Sequence, residues 1–283
     1  MKPRAFLLIL LLVVAGAGTG VYLASRRQTP PPPPRPQEAR RPPEALQAPA
    51  VPRESRPPSP PAPRKARVAI IFDDAGGSWE DFQAVLSLHR PVAVAVLPHL
   101  RYSREIAERA AREGLEVLLH LPVQPEDPKK ALGPGGITVD MGEKEIRRKV
   151  AEDLSSVPGA RGVNNHMGSL GTADPRVMRA ILQEVKERGL FFVDSKTSPR
   201  SLGEALAREL GVPAASRHVF LDNEDDAAYI AAQVRRLIEV ALRQGEAIAI
   251  GHVHRRTAKV LAEMLPEVEA AGIEIVPVSK LVR

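Results

Sequence analysis

Side chains that can bind a metal ion or transfer a proton recur directly after short apolar runs of this 283-residue chain. Imidazoles and carboxylates without any thiolate suit a borderline divalent cation, and zinc is the first choice. The chain has no cysteine, which excludes a thiol nucleophile, a zinc finger and an iron–sulfur site. The candidate residues after the runs are Asp73 and Asp74, His99, His120, Asn164, Asn165, His166 and Ser169, Asp194, Asp222 and Asn223, and His252 and His254.

The apolar runs alternate with amphipathic segments, a pattern typical of parallel βα units. Most runs are short and continuous, as in strands that are covered on both faces. We predict strands over 68–72, 92–96, 115–119, 160–163, 190–193, 218–221, 247–250 and 273–276. We predict helices over 79–88, 101–112, 143–156, 175–188, 202–210, 226–243 and 257–270. Together these units predict an α/β fold, a single (β/α) barrel that is incomplete or distorted and has about seven parallel strands.

The predicted barrel brings the candidate residues together, because the carboxyl ends of all its strands lie on one rim. Capping of a following helix can explain one such residue, but not Asp, His or Asn after nearly every strand. Asp73 and Asp74 are consecutive and should point apart, so that one can bind a metal while the other acts as a base. His252, arriving on another strand, can protonate a leaving group. These roles predict hydrolysis of an amide or ester by a metal-activated water.

At these positions the sequence resembles the divergent polysaccharide deacetylases, an exported branch related to the NodB-type carbohydrate esterases. The resemblance covers residues 67–283, and the matching segments occur in the family's order. The Gly-Val-Asn-Asn-His-Met-Gly-Ser run is the most specific of them. The segments are 71–76 (Ile-Phe-Asp-Asp-Ala-Gly), 120–125 (His-Leu-Pro-Val-Gln-Pro), 162–169 (Gly-Val-Asn-Asn-His-Met-Gly-Ser), 192–197 (Phe-Val-Asp-Ser-Lys-Thr), 220–223 (Phe-Leu-Asp-Asn) and 251–252 (Gly-His).

The resemblance implies a role for each matching residue of the NodB-type pattern. Asp73 would be the base, Asp74 and His120 would bind the metal, and His252 would be the general acid. Where the classical pattern has a second metal-binding histidine, four residues after the first, this chain has Gln124. We infer that His166 supplies the missing ligand, with Gln124 as the alternative.

The resemblance also leaves substrate and activity open, because the classical Arg-Pro-Pro-Tyr segment is replaced by Asn-Asn-His at 164–166. We expect Asp194 to assist catalysis, either directly or by orienting the base, although it could equally cap a helix. Asp222 and Asn223 could equally cap a helix or contact the substrate. The expected substrate contacts are Asn164, Asn165, Ser169, Asp222 and Asn223.

The charge distribution argues against a nucleic-acid partner. Residues 1–67 hold 12 Lys and Arg against 3 Asp and Glu, whereas residues 68–283 hold 28 against 31. A nucleic-acid-binding domain carries its basic excess on the folded part, and here the excess lies on a proline-rich tail. We therefore expect no nucleic-acid partner.

The first 27 residues predict export. A positive start precedes an uncharged stretch over 5–24, which is either a cleaved signal peptide or a signal-anchor helix in the inner membrane. Residues 28–66 predict a disordered Pro/Arg-rich linker. The domain at 67–283 is then expected in the periplasm or cell envelope.

Three functions fit these features. The first is a metal-dependent deacetylase that acts on N- or O-acetyl groups of an envelope or wall polysaccharide such as peptidoglycan. The second is a non-catalytic descendant that binds a glycan, a metal or an envelope protein, and the third is a metal-dependent amidase. The sequence leaves the polysaccharide, the acyl group and the oligomeric state open.

If the tail contributes no core, a chain shortened to residues 67–283 folds by itself. We expect its thermal unfolding midpoint, followed by circular dichroism, to lie within a few degrees of that of the full chain. Loss of the cooperative transition in the shortened chain would place the domain boundary elsewhere.

Overall fold

The structure, a computed structural model, describes residues 65–283. The predicted signal or anchor at 1–27 and nearly all of the linker at 28–66 lie outside the described residues, so both stay predictions. Within residues 65–283, no helix has the length and apolar character needed to cross a bilayer. The first strand begins at Arg67, where the domain was predicted to start.

Strands and helices alternate along the described chain. The strands are β1 (Arg67–Ala75), β2 (Ala93–Val96), β3 (Glu116–Val123), β4 (Gly162–Met167), β5 (Phe191–Asp194), β6 (Ala214–Ser216), β7 (Val219–Phe220), β8 (Glu246–His252) and β9 (Glu274–Ile275). The helices are α1 (Trp79–Leu86), α2 (Ser103–Arg112), α3 (Glu143–Ser156), α4 (Pro175–Glu187), α5 (Gly203–Glu209), α6 (Ala227–Gln244) and α7 (Arg255–Ala270). All seven predicted helices are present within two residues at each end, whereas β6 was not predicted.

The strands form a distorted parallel barrel, which confirms the predicted fold. Every pair is parallel, in the order β6-β5-β4-β3-β2-β1-β8-β7, and β9 pairs with the start of β1. The two ends of this order are joined by only Arg217 and His218. The Arg217 amide donates to the Asp194 carbonyl of β5 (3.0 Å), and the His218 amide donates to the Ile248 carbonyl of β8 (2.8 Å). This short segment therefore bonds to both β5 and β8 and closes the barrel. Together β6 and β7 take the place of a seventh strand.

The barrel interior is apolar except at its carboxyl end. Along β1, Val68, Ile70 and Phe72 pack among the residues of the outer, helix-covered core, whereas Ala69 and Ile71 belong to the inner cluster. Because side chains alternate along a strand, Asp73 is the next inward residue. Inner-cluster Leu118 of β3 and Ile250 of β8 are likewise followed, two residues on, by His120 and His252. The predicted active-site residues thus form the last layer of the barrel core.

The C-terminal segment covers the opposite, amino end of the barrel. Val276, Val278 and Leu281 belong to the inner cluster. The Ser279 amide donates to the carboxylate of Glu116 at the start of β3 (3.0 Å). Arg283 exchanges backbone hydrogen bonds with Ala214 at the start of β6. The C-terminal segment therefore does not cover the carboxyl end of the barrel, where the polar layer lies.

Candidate active site and metal centre

A β-bulge at the end of β1 brings two consecutive carboxylates to the same place. Phe72 and Ala75 pair with Val94 and Val96 of β2, so β1 carries one extra residue in this interval. Asp74 lies in the bulge with a left-handed backbone, φ 63°. The prediction that Asp73 and Asp74 point apart is therefore wrong, because a bulge and a left-handed residue break the alternation of a regular strand. Both carboxylates face His120, at 3.5 and 3.1 Å from its Nε2.

Asp74, His120 and His166 form a group that could hold a metal ion. The Oδ1 atom of Asp74 lies 2.8 Å from His166 Nδ1 and 3.1 Å from His120 Nε2. The two imidazole nitrogens are 3.3 Å apart. Three atoms with lone pairs thus converge from β1, β3 and β4, the donor set of two nitrogens and one carboxylate oxygen that catalytic zinc sites use.

The hydrogen bonding of this group fits a cation. Asp74 Oδ1 is buried and accepts no well-aligned hydrogen bond from any described residue, although two ring nitrogens are close. Such an orphaned buried oxygen is costly unless a ligand satisfies it. Asn164 Oδ1 lies 2.9 Å from His120 Nδ1, so Nδ1 donates to that oxygen and Nε2 is the nitrogen that can bind a metal once it has lost its proton.

Gln124 does not take part in this group. Its Oε1 accepts a hydrogen bond from the Val139 amide at 2.8 Å, which fixes the loop between β3 and α3. Of the two alternatives for the third ligand, the geometry favours His166.

Asn164 connects the candidate ligand to the candidate base. Its amide nitrogen donates to Asp73 Oδ1 at 2.8 Å while its oxygen faces His120. The side chain is fully buried and does not line the cavity described below. The expected substrate contact of Asn164 is therefore wrong, since the side chain has no surface to offer. It orients His120 and Asp73 instead.

His252 is held by a carboxylate on the far side of the group. Asp222 Oδ1 lies 3.1 Å from His252 Nδ1, and Asp222 Oδ2 accepts from the His252 amide (2.8 Å) and from Thr257 Oγ1 (2.6 Å). The Nε2 atom of His252 is left facing Asp74 Oδ2, at 3.7 Å. Asp222, expected to contact substrate, orients His252 instead. His254 is exposed at the start of α7 and does not line the cavity.

The electrostatics of the site separate a base from an acid. Burial raises the pKa of the Asp73 carboxyl, although the charge of His120 opposes the shift. Burial also raises the pKa of Asp74, but the polar contacts and charges of His120 and His166 outweigh it and hold that pKa far below its usual range. Burial lowers the pKa of His252, and the hydrogen bond and charge of Asp222 more than offset it, so the net shift is upward. The arrangement favours a proton-accepting Asp73 and a protonated His252.

Asp194 serves the loop after β5 rather than the cluster. It is fully buried, and its carboxylate accepts hydrogen bonds from the Lys196 amide (2.8 Å), Ser201 Oγ (2.7 Å) and the Glu204 amide (3.3 Å). These bonds leave no oxygen facing the cavity. Neither expectation for Asp194 is met by this placement: the carboxylate lies away from the cluster, and residues 195–197 form no helix for it to cap.

The cluster opens into a cavity of about 870 Å³, within the size range of small-molecule sites. Three of the expected substrate-binding residues, Asn165, Ser169 and Asn223, line it. The sequence interpretation missed other lining residues, which are Lys130, Lys196, Arg217, Phe220, Tyr229, Gln233 and Arg236. Most of them come from loops and a helix face, and the motifs at 192–197 and 220–223 contain two of them, Lys196 and Phe220.

The comparisons with known proteins concern the family and the fold of the chain. The family described as divergent polysaccharide deacetylase matches residues 70–282. An uncharacterized protein of Haemophilus influenzae is 35% identical over 196 residues, which are 69% of this chain and 70% of that one. The uncharacterized protein YibQ of Escherichia coli is 37% identical over 199 residues, 70% of this chain but 62% of the relative.

A solved structure supports the same fold. The crystal structure of an uncharacterized protein from Agrobacterium tumefaciens superposes with a TM-score of 0.74 at 27% sequence identity. The match covers 80% of this chain and 92% of that one. The two chains therefore share the fold over most of their lengths.

Removal of His166 should abolish tight metal binding, whereas removal of Gln124 should not. In the full-length chain, we expect His166→Ala to weaken zinc binding by more than about 100-fold, since even the loss of a residue that only orients a ligand costs 10–100-fold. Gln124→Ala is the matched control and should keep one zinc per chain. Calorimetric titration with zinc measures both. Full occupancy in His166→Ala would make His166 a substrate contact.

Metal affinity should rise with pH. Burial disfavours the His120 imidazolium, but the carboxylates of Asp73 and Asp74 outweigh this and raise the pKa of His120 to about 9. A cation needs the neutral imidazole, so binding below that pH must displace a proton. We expect the zinc affinity of the full chain, measured against a competing chelator, to rise about tenfold for each pH unit up to about pH 9 and then level off. An affinity that does not change with pH would contradict this account of His120.

Proposed function

Because the chain belongs to the divergent polysaccharide deacetylase family, we propose that it is an exported, metal-dependent hydrolase that removes acetyl groups from an envelope or wall polysaccharide. One observation carries the proposal. A three-ligand cluster, a buried carboxylate and a carboxylate-held histidine meet at the floor of one cavity. With a bound cation, these three elements are sufficient for hydrolysis of an acyl group by water, without a covalent intermediate.

Asp73 suits the role of general base. Its carboxylate lies beside the three-ligand cluster, 3.5 Å from His120 Nε2, and is 4% exposed. Burial raises its pKa, which makes it a better proton acceptor than an exposed aspartate. Asn164 donates to one carboxylate oxygen and leaves the other to take a proton.

His252 suits the role of general acid. Asp222 fixes the ring through Nδ1, so Nε2 is the nitrogen presented to the cavity. The hydrogen bonds that Asp222 receives from His252 and Thr257 hold the pKa of its own carboxyl low against the effect of burial. An ionised Asp222 keeps His252 protonated until a leaving group takes its proton.

The residues that would hold the metal are Asp74, His120 and His166, and we propose zinc. A divalent cation there would supply Lewis acidity, which polarises an acyl oxygen and lowers the pKa of a water molecule. Asp73 takes a proton from the attacking water while the water oxygen bonds to the acyl carbon. The bond from that carbon to the sugar nitrogen or oxygen then breaks as His252 Nε2 donates its proton to the leaving atom. Acetate and a free amino or hydroxyl group are the products.

We also propose where this reaction takes place. The chain's first 27 residues carry the features of an export signal or anchor, and the linker at 28–66 would let the domain reach away from a membrane. A peptidoglycan-type polymer in the periplasm or envelope is then the accessible substrate.

The test is acetate release by the full-length, zinc-loaded chain. A panel of N- and O-acetylated polymers, including peptidoglycan and chitin oligomers, is incubated with the protein and acetate is measured enzymatically. We expect release from at least one polymer and none after chelation of the metal. A fully metal-loaded chain that is inert on the whole panel would favour the non-catalytic alternative.

The aspartate pair should divide its roles cleanly. Asp73→Asn keeps the shape and an acceptor oxygen but cannot take a proton, so it should retain zinc and lose turnover by about 10²–10⁴-fold. Asp74→Asn removes the charge that offsets the cation and should lose both. Metal content and acetate release of the two full-length variants measure this. Equal metal loss in both variants would make Asp73 a ligand as well.

A further inference from the structure

Cationic side chains outnumber carboxylates around the cavity that holds the cluster. Lys130, Lys196, Arg217 and Arg236 line it, and the carboxylates lining it are Asp73 and Asp74 alone. Both carboxylates belong to the cluster. The cations do not reflect a general excess of positive charge, because residues 68–283 hold 28 Lys and Arg against 31 Asp and Glu.

Three of these cations lack an acidic partner. Within residues 65–283, no carboxylate oxygen lies within 4.0 Å of the charged nitrogens of Lys130, Lys196 or Arg217. Arg236, by contrast, pairs with Glu239 at 3.0 Å. Many arginines outside the cavity are also paired, such as those at 147, 179, 188 and 208. We call Lys130, Lys196 and Arg217 the cationic wall.

Arg217 is fixed in place before any ligand arrives. Its Nε donates to the Ser195 carbonyl at 2.7 Å and its Nη2 donates to the Lys196 carbonyl at 3.0 Å. The guanidinium also lies over the Phe220 ring, 5.0 Å from its centre. These contacts leave Nη1 available to an anion, and a cation held in this way loses little side-chain entropy on binding.

Lys196 is positioned by the same network. Its backbone has a left-handed φ of 50°, and its amide is held by Asp194 Oδ1 at 2.8 Å. The other oxygen of Asp194 accepts hydrogen bonds from Ser201 Oγ and the Glu204 amide, so the carboxylate forms no direct ion pair with the wall and its charge acts on Arg217 only from a longer distance. The buried carboxylate thus organises the loop that presents two cations to the cavity.

We propose that the cationic wall binds an anionic group of the substrate, so that the chain prefers an acidic glycan over a neutral one. This inference rests on the proposed function, since it concerns the substrate of the same site. The planar guanidinium and the ammonium groups suit the oxygens of a carboxylate or a phosphate. An acetyl group near Asp73 and an oxyanion at the wall would orient a sugar chain from two points.

The test compares oligosaccharides of equal length on the full-length, zinc-loaded chain. One is a neutral N-acetylglucosamine tetramer, the second alternates N-acetylglucosamine with N-acetylmuramic acid and carries lactyl carboxylates, and the third is the methyl ester of the second. A phosphorylated tetramer forms the fourth arm. Dissociation constants from calorimetry and kcat/KM from acetate release are measured at low and high salt.

We expect the carboxylate-bearing oligomer to bind at least tenfold more tightly than its methyl ester, with the difference shrinking at high salt. A larger gain with the phosphorylated oligomer would assign the anion to phosphate and would support the wall equally. Equal dissociation constants for acid, ester and neutral oligomer would overturn the proposal.

Variants assign the preference to the wall. The double variant Lys130→Gln/Lys196→Gln should lower the acid-to-ester affinity ratio about tenfold, while Lys144→Gln on the exposed face of α3 should keep it. Arg217→Gln is a less direct probe because it also removes two backbone contacts. An unchanged ratio in the double variant would contradict the proposal.

The two proposals fail separately in this experiment. Tight, wall-dependent binding of the acidic oligomer without acetate release would support the wall and reject the hydrolase. Equal acetate release from acidic and neutral oligomers would support the hydrolase and reject the wall.

Discussion

The site depends on one extra residue in the first strand. Because of the bulge at the end of β1 and the left-handed backbone of Asp74, two consecutive carboxylates both point toward the carboxyl end of the barrel interior. A non-glycine residue in this conformation costs about 1–3 kcal/mol and persists only where its surroundings enforce it. Here the neighbours are His120 and His166, both within 3.1 Å of the Asp74 carboxylate. A regular strand would point Asp74 away from them and leave two imidazoles without the third donor.

The remaining site residues come from the strands around this bulge and are held by one another. The Asn164 side chain contacts both His120 and Asp73, and the Asp222 carboxylate contacts the ring of His252 at the end of β8. Strand β2, between β1 and β3, contributes no residue to the cluster. His99, which follows it, lies 2.8 Å from Asp153 on α3. The loop after β2 therefore packs against α3 instead of reaching the site.

Much of the fold and the centre of the site could be predicted from the sequence. The helices have apolar faces, three of them begin at a capping side chain (Ser78, Asp174 and Asp226), and convergence on the carboxyl rim follows from parallel topology alone. The inference of His166 in place of Gln124 agrees with the geometry.

The prediction that Asp73 and Asp74 point apart was wrong. A bulge is defined by how a strand pairs with its neighbour, so the sequence of β1 alone does not reveal it. The roles of Asn164 and Asp222 were also missed, since burial decides whether a polar side chain meets substrate or another residue. Strand β6 is too short to show a periodic apolar pattern, and no sequence pattern marks Arg217 as a residue of the cavity.

Stepwise addition of zinc to the metal-depleted full-length chain, with acetate release from an acetylated envelope glycan followed at each step, tests the central claim most directly. If the Asp74, His120 and His166 cluster holds the catalytic cation, the rate rises in proportion to bound zinc and levels off at one zinc per chain. Acetate release that does not depend on zinc, or one zinc bound per chain with no acetate released, would contradict it.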